Sequence, residues 1–297
     1  MIGYRVGRRT LKRLIRQHDP DWLRKAENGD QPDWGDIKDV FVRIQHYKCG
    51  YCERLMPRPQ RPAGDGTTGA IWGGRREYDV DHFRPKRQVR RWPTAESGFR
   101  YAFETGDFMA GGYPWLSHDF LNYLASCKTC NQDNKKTYFP VAGRRGGAGD
   151  DVPRLDRLER PLLVNPVGAG DSKPEDLIGF SGFLAVPRGS RGHRRRRGTI
   201  LIDLLGLNLR DELILQRCNL ILAMWPYLER RREGQGGDRN DAAREIERLT
   251  SEASQHANCA RCFEALHTSD LAAARRCYEA ARMRSERLLR TAPLPAD

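Results

Sequence analysis

The sequence predicts an α+β fold, mainly α, on three observations. Two Cys-x-x-Cys pairs, Cys49/Cys52 and Cys127/Cys130, bracket a short, alternating, β-prone stretch from Glu77 to Phe83. Residues 1–46 carry apolar positions at three-to-four spacing, the mark of helices. From Thr199 onward the pattern is helical again, with alanines throughout the last stretch. The chain is therefore drawn in four parts. These are an N-terminal helical segment (1–46), a β-and-helix core clasped by four cysteines (47–141), a linker with a small hairpin and a basic loop (142–198), and a C-terminal α-helical region (199–297).

A chain of 297 residues with 38% hydrophobic content can bury a full core, so the protein is globular. Its formal net charge is +13, and Arg outnumbers Lys. The planar guanidinium fork suits phosphate oxygens, which makes nucleic acid, DNA first, the default partner. Met1 to Gln17 is basic but lacks the apolar run of a signal peptide. The most apolar stretch, Thr199 to Leu209, is broken by Asp203 and falls short of the roughly 18 residues of a membrane span. A cytoplasmic protein without a membrane segment is expected, and its eight cysteines are expected as thiolate ligands or buried side chains.

In chain order, Leu11, Leu14 and Ile15 predict a basic amphipathic helix over residues 8–17. Asp33, as its cap, and Ile37, Val40, Phe41 and Ile44 predict a second. In Cys49-Gly50-Tyr51-Cys52 the glycine is read as permitting the tight turn of a zinc knuckle. Pro57 to Gly74, rich in Pro, Gly and Arg, reads as an exposed loop, and the strand that follows ends on Asp81-His82. Trp115 to Tyr123 embeds Asn122 and leads to the second knuckle, where a helix begins with Asn131 and Lys135 on one side. Residues 142–160 read as a linker, Ile178 to Val186 as a hairpin centred on Ser181-Gly182, and Gly189 to Gly198 as a flexible basic loop. Helices follow, broken at Gly234 to Gly237.

The chemistry lies between the knuckles. Two Cys-x-x-Cys pairs match a tetrahedral thiolate site, and with four protein ligands the zinc is structural. Phosphodiester hydrolysis needs an activated water and charge relief at the phosphate. His82 titrates in the right range to take the water's proton. Asp81 and Asn131 offer hard oxygen donors for a catalytic Mg²⁺ or Mn²⁺, and Asn122 is expected to hold the His82 ring by a hydrogen bond. Arg84, Lys86, Lys135 and Lys136 are candidate nucleic-acid contacts, although a solvated charged face is the bland alternative. Cys259 and Cys262 form a third pair, read as buried thiols of a helix rather than a second metal site.

Asp81-His82, Asn122 and Asn131 directly after the second Cys-x-x-Cys together resemble the HNH endonuclease signature, over residues 47–141. The resemblance implies a ββα-metal core, His82 as general base, and Asp81 and Asn131 as metal ligands. Further blocks narrow it. Cys-Gly-Tyr-Cys-Glu (49–53), Val-Asp-His-Phe-Arg-Pro-Lys (80–86), Arg-Pro-Leu-Leu-Val-Asn-Pro (160–166) and Leu-Gly-Leu-Asn (205–208) are similar to the HNH subunits of Septu and retron-associated anti-phage defence systems. That group implies a nuclease controlled by a partner ATPase of the SMC or ABC type, docked on the helical region. Two rivals remain open at this point: an RNA- or tRNA-cleaving HNH effector, and a zinc-ribbon module that binds nucleic acid without cutting it.

Overall fold

A computed structural model describes residues 1–57, 78–168 and 170–291. Three helices open the chain: α1 (Arg8–His18), α2 (Pro20–Glu27) and α3 (Lys38–Ile44). α1 is the helix predicted from Leu11 and Ile15, which it buries. α2 is too short to show a periodicity; its signal is the cap, where the Asp19 side chain accepts the Trp22 N–H at 2.9 Å and Pro20 opens the first turn. α3 begins at Lys38 and not at Asp33, whose carboxylate instead accepts the Gly35 N–H and closes a turn before it.

The loop expected over Pro57 to Gly74 lies, from residue 58, outside the described residues. β1 (Tyr78–His82) pairs antiparallel with β2 (Tyr123–Cys127), with His82 opposite Tyr123 and Tyr78 opposite Cys127. Every residue of β2 is buried. The short strand is stabilised by what packs on it, including Phe41 of α3, whose ring meets Tyr123 edge-on at 5.9 Å. The chain leaves β2 straight into a wide helical turn, Thr129–Lys135, of π rather than α geometry.

The stretch expected to be a linker holds a helix, α4 (Val152–Glu159), capped by Asp151. Glycine-rich flanks hide it in the sequence, and what anchors it is a long-range charge pair described below. The hairpin is as expected: β3 (Ile178–Ser181) and β4 (Leu184–Pro187) turn through Gly182 at φ +58°. The basic stretch before Gly198 is not a loop. From Gly192 it forms the first turns of α5 (Gly192–Leu204), and Arg197 is buried, with its guanidinium 2.6 Å from Asp171 Oδ2 and from the Leu163 carbonyl. An arginine run is ambiguous in sequence because the same side chain serves as a solvated charge or as a buried, hydrogen-bonded fork.

Four helices complete the chain: α6 (Asp211–Glu233), α7 (Gly236–Thr250), α8 (Ala257–Ser269) and α9 (Leu271–Thr291). One apolar core joins the N-terminal helices, all four strands, α4 and α5, and a second lies among α6 to α9. Neighbouring residues of α6 divide between them, Leu213 facing the first and Ile214 the second. The first core thus runs past residue 198. Polar ties add to it: Lys48 Nζ donates to the Ser254 carbonyl at 2.8 Å, and Asn258 Nδ2 to that of Ile178 at 2.9 Å. Among the described residues no helix is long and apolar enough to cross a membrane.

Candidate functional site

The four cysteines meet where the segment after α3 crosses the end of β2. The sulfurs of Cys49, Cys52, Cys127 and Cys130 lie within 4.8 Å of one another, all buried, with Cys52 and Cys127 3.9 Å apart. Tetrahedral thiolates about 2.3 Å from a zinc ion are separated by roughly 3.8 Å, so the donor set and its spacing fit that ion. Arg210 reaches the cluster from the start of α6, Nη2 to Cys130 Sγ at 3.5 Å, and partly offsets the negative charge that a tetrathiolate carries. Gly50 serves differently from the expectation. Its backbone is not left-handed; instead a Cβ there would stand 2.8 Å from Leu124 Cδ1, and its N–H donates to the Ala125 carbonyl at 3.0 Å. The glycine lets the knuckle lie flat on β2.

His82 ends β1 at the opposite end of the ribbon from Cys127 and is 8% exposed. Its Nε2 is 3.0 Å from the Ser117 carbonyl, which can only accept, so Nε2 carries the proton and Nδ1 is the bare nitrogen. Burial pushes the imidazole down to about 4, and the positive charges of Lys86, Lys135 and His118 act in the same direction against the Ser117 contact. The ring is uncharged at neutral pH. Trp34 and Tyr123 meet it edge-on at 5.2 and 5.0 Å.

Asn122 does not hold that ring. Its amide brackets the next stretch of backbone, Oδ1 accepting the Arg84 N–H at 2.8 Å and Nδ2 donating to the Arg84 carbonyl at 3.0 Å, while its own carbonyl accepts the Phe83 N–H at 2.8 Å. It fixes where the strand ends, and so acts on His82 through the main chain. The residue on the ring is Ser117, which works through its carbonyl and therefore leaves no trace in the choice of side chain.

Asp81 is buried against two donors: Tyr51 Oη gives it a 2.6 Å hydrogen bond and Lys135 Nζ stands 3.1 Å away. Burial raises its carboxyl, against the pull of Lys135 and Tyr51. Lys135 is fully buried and also donates to the His82 carbonyl at 3.0 Å, so it is a structural cation beneath the strand and not a free phosphate contact. The π turn puts Asn131 beside Asp79, Nδ2 to Oδ2 at 3.1 Å, with Gln132 on the same oxygen at 2.7 Å. Lys135 pairs with Asp81, and no ion pair reaches Asp79 among the described residues. This oxygen-rich group has the donor chemistry of a hard-cation site.

The other basic candidates separate. Arg84 is 1% exposed and bonds Glu159 at 2.9 Å and Asp156 at 2.7 Å, both on α4, so it is taken away from any ligand. Its position after the strand end is indistinguishable in sequence from that of a phosphate contact; only α4 decides. Lys86 stays at the site, with Nζ 3.1 Å from the centre of the Trp34 ring. Lys136 is exposed on the left-handed residue that ends the π turn. Away from this region, Cys259 donates to the Gly182 carbonyl and Cys262 to Asn258 Oδ1.

No protein-family model matches the chain, and no solved structure matches it. Over 157 residues, which are 52% of this chain and 42% of the relative, it is 26% identical to the Septu protein PtuB of Bacillus mycoides strain KBAB4. The match spans less than half of that relative's length, and over it the chain is similar to that Septu protein.

Proposed function

We propose that the protein is a metal-dependent HNH-type endonuclease that hydrolyses nucleic-acid phosphodiester bonds, with DNA as the expected substrate. The observation that supports this best is the placement of His82. A neutral imidazole with Nδ1 bare stands at the end of a two-stranded ribbon, next to Asp81, and the turn that follows the partner strand returns Asn131 to the same ribbon. Nδ1 takes the proton of an attacking water, while the carbonyl of Ser117 keeps the ring in the tautomer this requires. Asp81 and Asn131 would hold a Mg²⁺ or Mn²⁺ ion, which relieves charge on the phosphate when bound. Lys86 and Lys136 are left to meet neighbouring phosphates. Zinc held by the four cysteines would keep the knuckle, β2 and the π turn in one arrangement.

Similarity to a Septu protein supports a place in antiviral defence. On that basis we assign this nuclease as an effector, controlled by a partner ATPase of the SMC or ABC type that docks on α6 to α9. The test is cleavage of plasmid DNA and of total tRNA by purified protein with Mg²⁺ or Mn²⁺, with and without the partner ATPase. His82→Ala is expected to lose at least about a hundredfold in rate while binding is retained. Wild-type cleavage by that variant would overturn the assignment, and binding without cleavage under every condition would favour the non-catalytic module.

A further inference from the structure

A file of aromatic rings runs along the edge of the core between Arg90 and Arg196, with Trp92 and Tyr138 buried and Phe99, Tyr101 and Phe103 half-buried, and nothing at His82 uses it. Trp92 joins Tyr138 at 5.1 Å to Phe99 at 5.7 Å; Phe99 and Tyr101 lie parallel, 6° apart with centroids 6.4 Å apart; Tyr101 and Phe103 stack at 5.1 Å. The segment is extended, so Phe99, Tyr101 and Phe103 are half-buried on one side while Arg100, Ala102 and Glu104 are exposed on the other. An arginine covers a ring at each end, Arg90 over Tyr138 at 5.5 Å and Arg196 over Phe103 at 5.2 Å. Arg90, Arg100 and Arg196 are exposed, and none of them forms an ion pair among the described residues. The segment is pinned from beneath by Tyr101 Oη on Asp203 at 2.9 Å.

We propose that this file is a binding track for single-stranded nucleic acid, an inference that rests on the reading of nucleic acid as substrate. The ring contacts hold Arg90 and Arg196 in place but leave their outward N–H groups with no carboxylate partner among the described residues. Aromatic faces interleaved with arginines are what an unpaired strand recognises, its bases against the rings and its phosphates against the charges, with little regard for sequence. The Phe99 and Tyr101 rings lie parallel to each other, and Arg100, exposed on the other side of the same segment, adds a third cation for the backbone of a strand that follows it. A duplex cannot use the track, because its base faces are already stacked.

The experiment is fluorescence anisotropy with the full-length protein, without added Mg²⁺ or Mn²⁺, on labelled oligothymidine, oligouridine and a DNA duplex. Each is about 16 nucleotides long, the upper end for one such module. Single strands are expected to bind more tightly than duplex. Phe103→Leu weakens single-strand binding about tenfold and Phe103→Trp restores it, with Tm unchanged. Arg90→Ala with Arg196→Ala, both on the surface, lowers the slope of log K against log salt by about 1.4. Binding of one single strand and not the other identifies the strand as DNA or RNA. Preference for duplex, or wild-type single-strand binding by both the Phe103→Leu and the double-arginine proteins, overturns the track and leaves the nuclease reading standing. Single-strand binding by a protein whose His82→Ala variant cuts normally leaves the track and removes that reading.

Discussion

Arg84 shows how the environment of one side chain decides its work. Its guanidinium is bonded by Glu159 and Asp156 beneath the strand end, and its backbone is bracketed by Asn122. Two carboxylates and one buried cation form a group in which removing the cation leaves Glu159 buried and uncompensated. Arg84→Ala is therefore expected to destabilise the fold by about 3–5 kcal/mol, read as a lower urea midpoint. An unchanged midpoint would mean that the group is solvated in solution. Lys135 belongs to the same class, a lysine whose sequence position promised a phosphate contact and whose burial gives it to Asp81 and the His82 carbonyl.

The elements around the site are short, so what holds them is the cysteine cluster more than their own hydrogen bonds. β1 and β2 have five residues each, and the π turn has seven. A two-stranded ribbon of that size is marginal in isolation. One zinc per chain is expected by elemental analysis, bound through Cys49, Cys52, Cys127 and Cys130. Cys127→Ser is expected to lose the metal together with most of the cooperative unfolding transition, because metal binding and folding are coupled in ribbons of this kind. Two zincs per chain would place the second at Cys259 and Cys262, against the contacts their sulfurs make with Gly182 and Asn258.

At the scale of the whole molecule, α6 to α9 cannot be removed to test what they dock. Arg210 touches Cys130, and Lys48 and Ile178 take partners from the stretch 254–258. Surface substitutions are the cleaner test. Met283 and Leu289 of α9 are 62% and 61% exposed. If a partner ATPase sits on α9, Met283→Glu with Leu289→Glu abolishes its co-purification while Tm and basal cleavage stay as in the wild type. Retention of the partner by the doubly substituted protein would move the docking surface elsewhere.

Within this molecule, what the sequence determined by itself was whatever a local pattern can encode. The two cysteine pairs announce their shared site because tetrahedral thiolate binding dictates residue type and spacing, and they meet as expected. The hairpin and the amphipathic α1 are written in period and turn residues in the same way. Asp81, His82, Asn122 and Asn131 were marked by their order along the chain, and the fold brings all four to one ribbon and the turns that flank it. Tertiary structure alone decided what each of them touches. Asn122 on Arg84 instead of the His82 ring, Ser117 in its place, Lys135 under Asp81, and α4 within an apparent linker all depend on partners 35 to 75 residues away in sequence. Such contacts carry no period. A buried charge and a solvated one are the same letter, and only the packing of distant segments, through desolvation and the carboxylates it brings within reach, assigns the role.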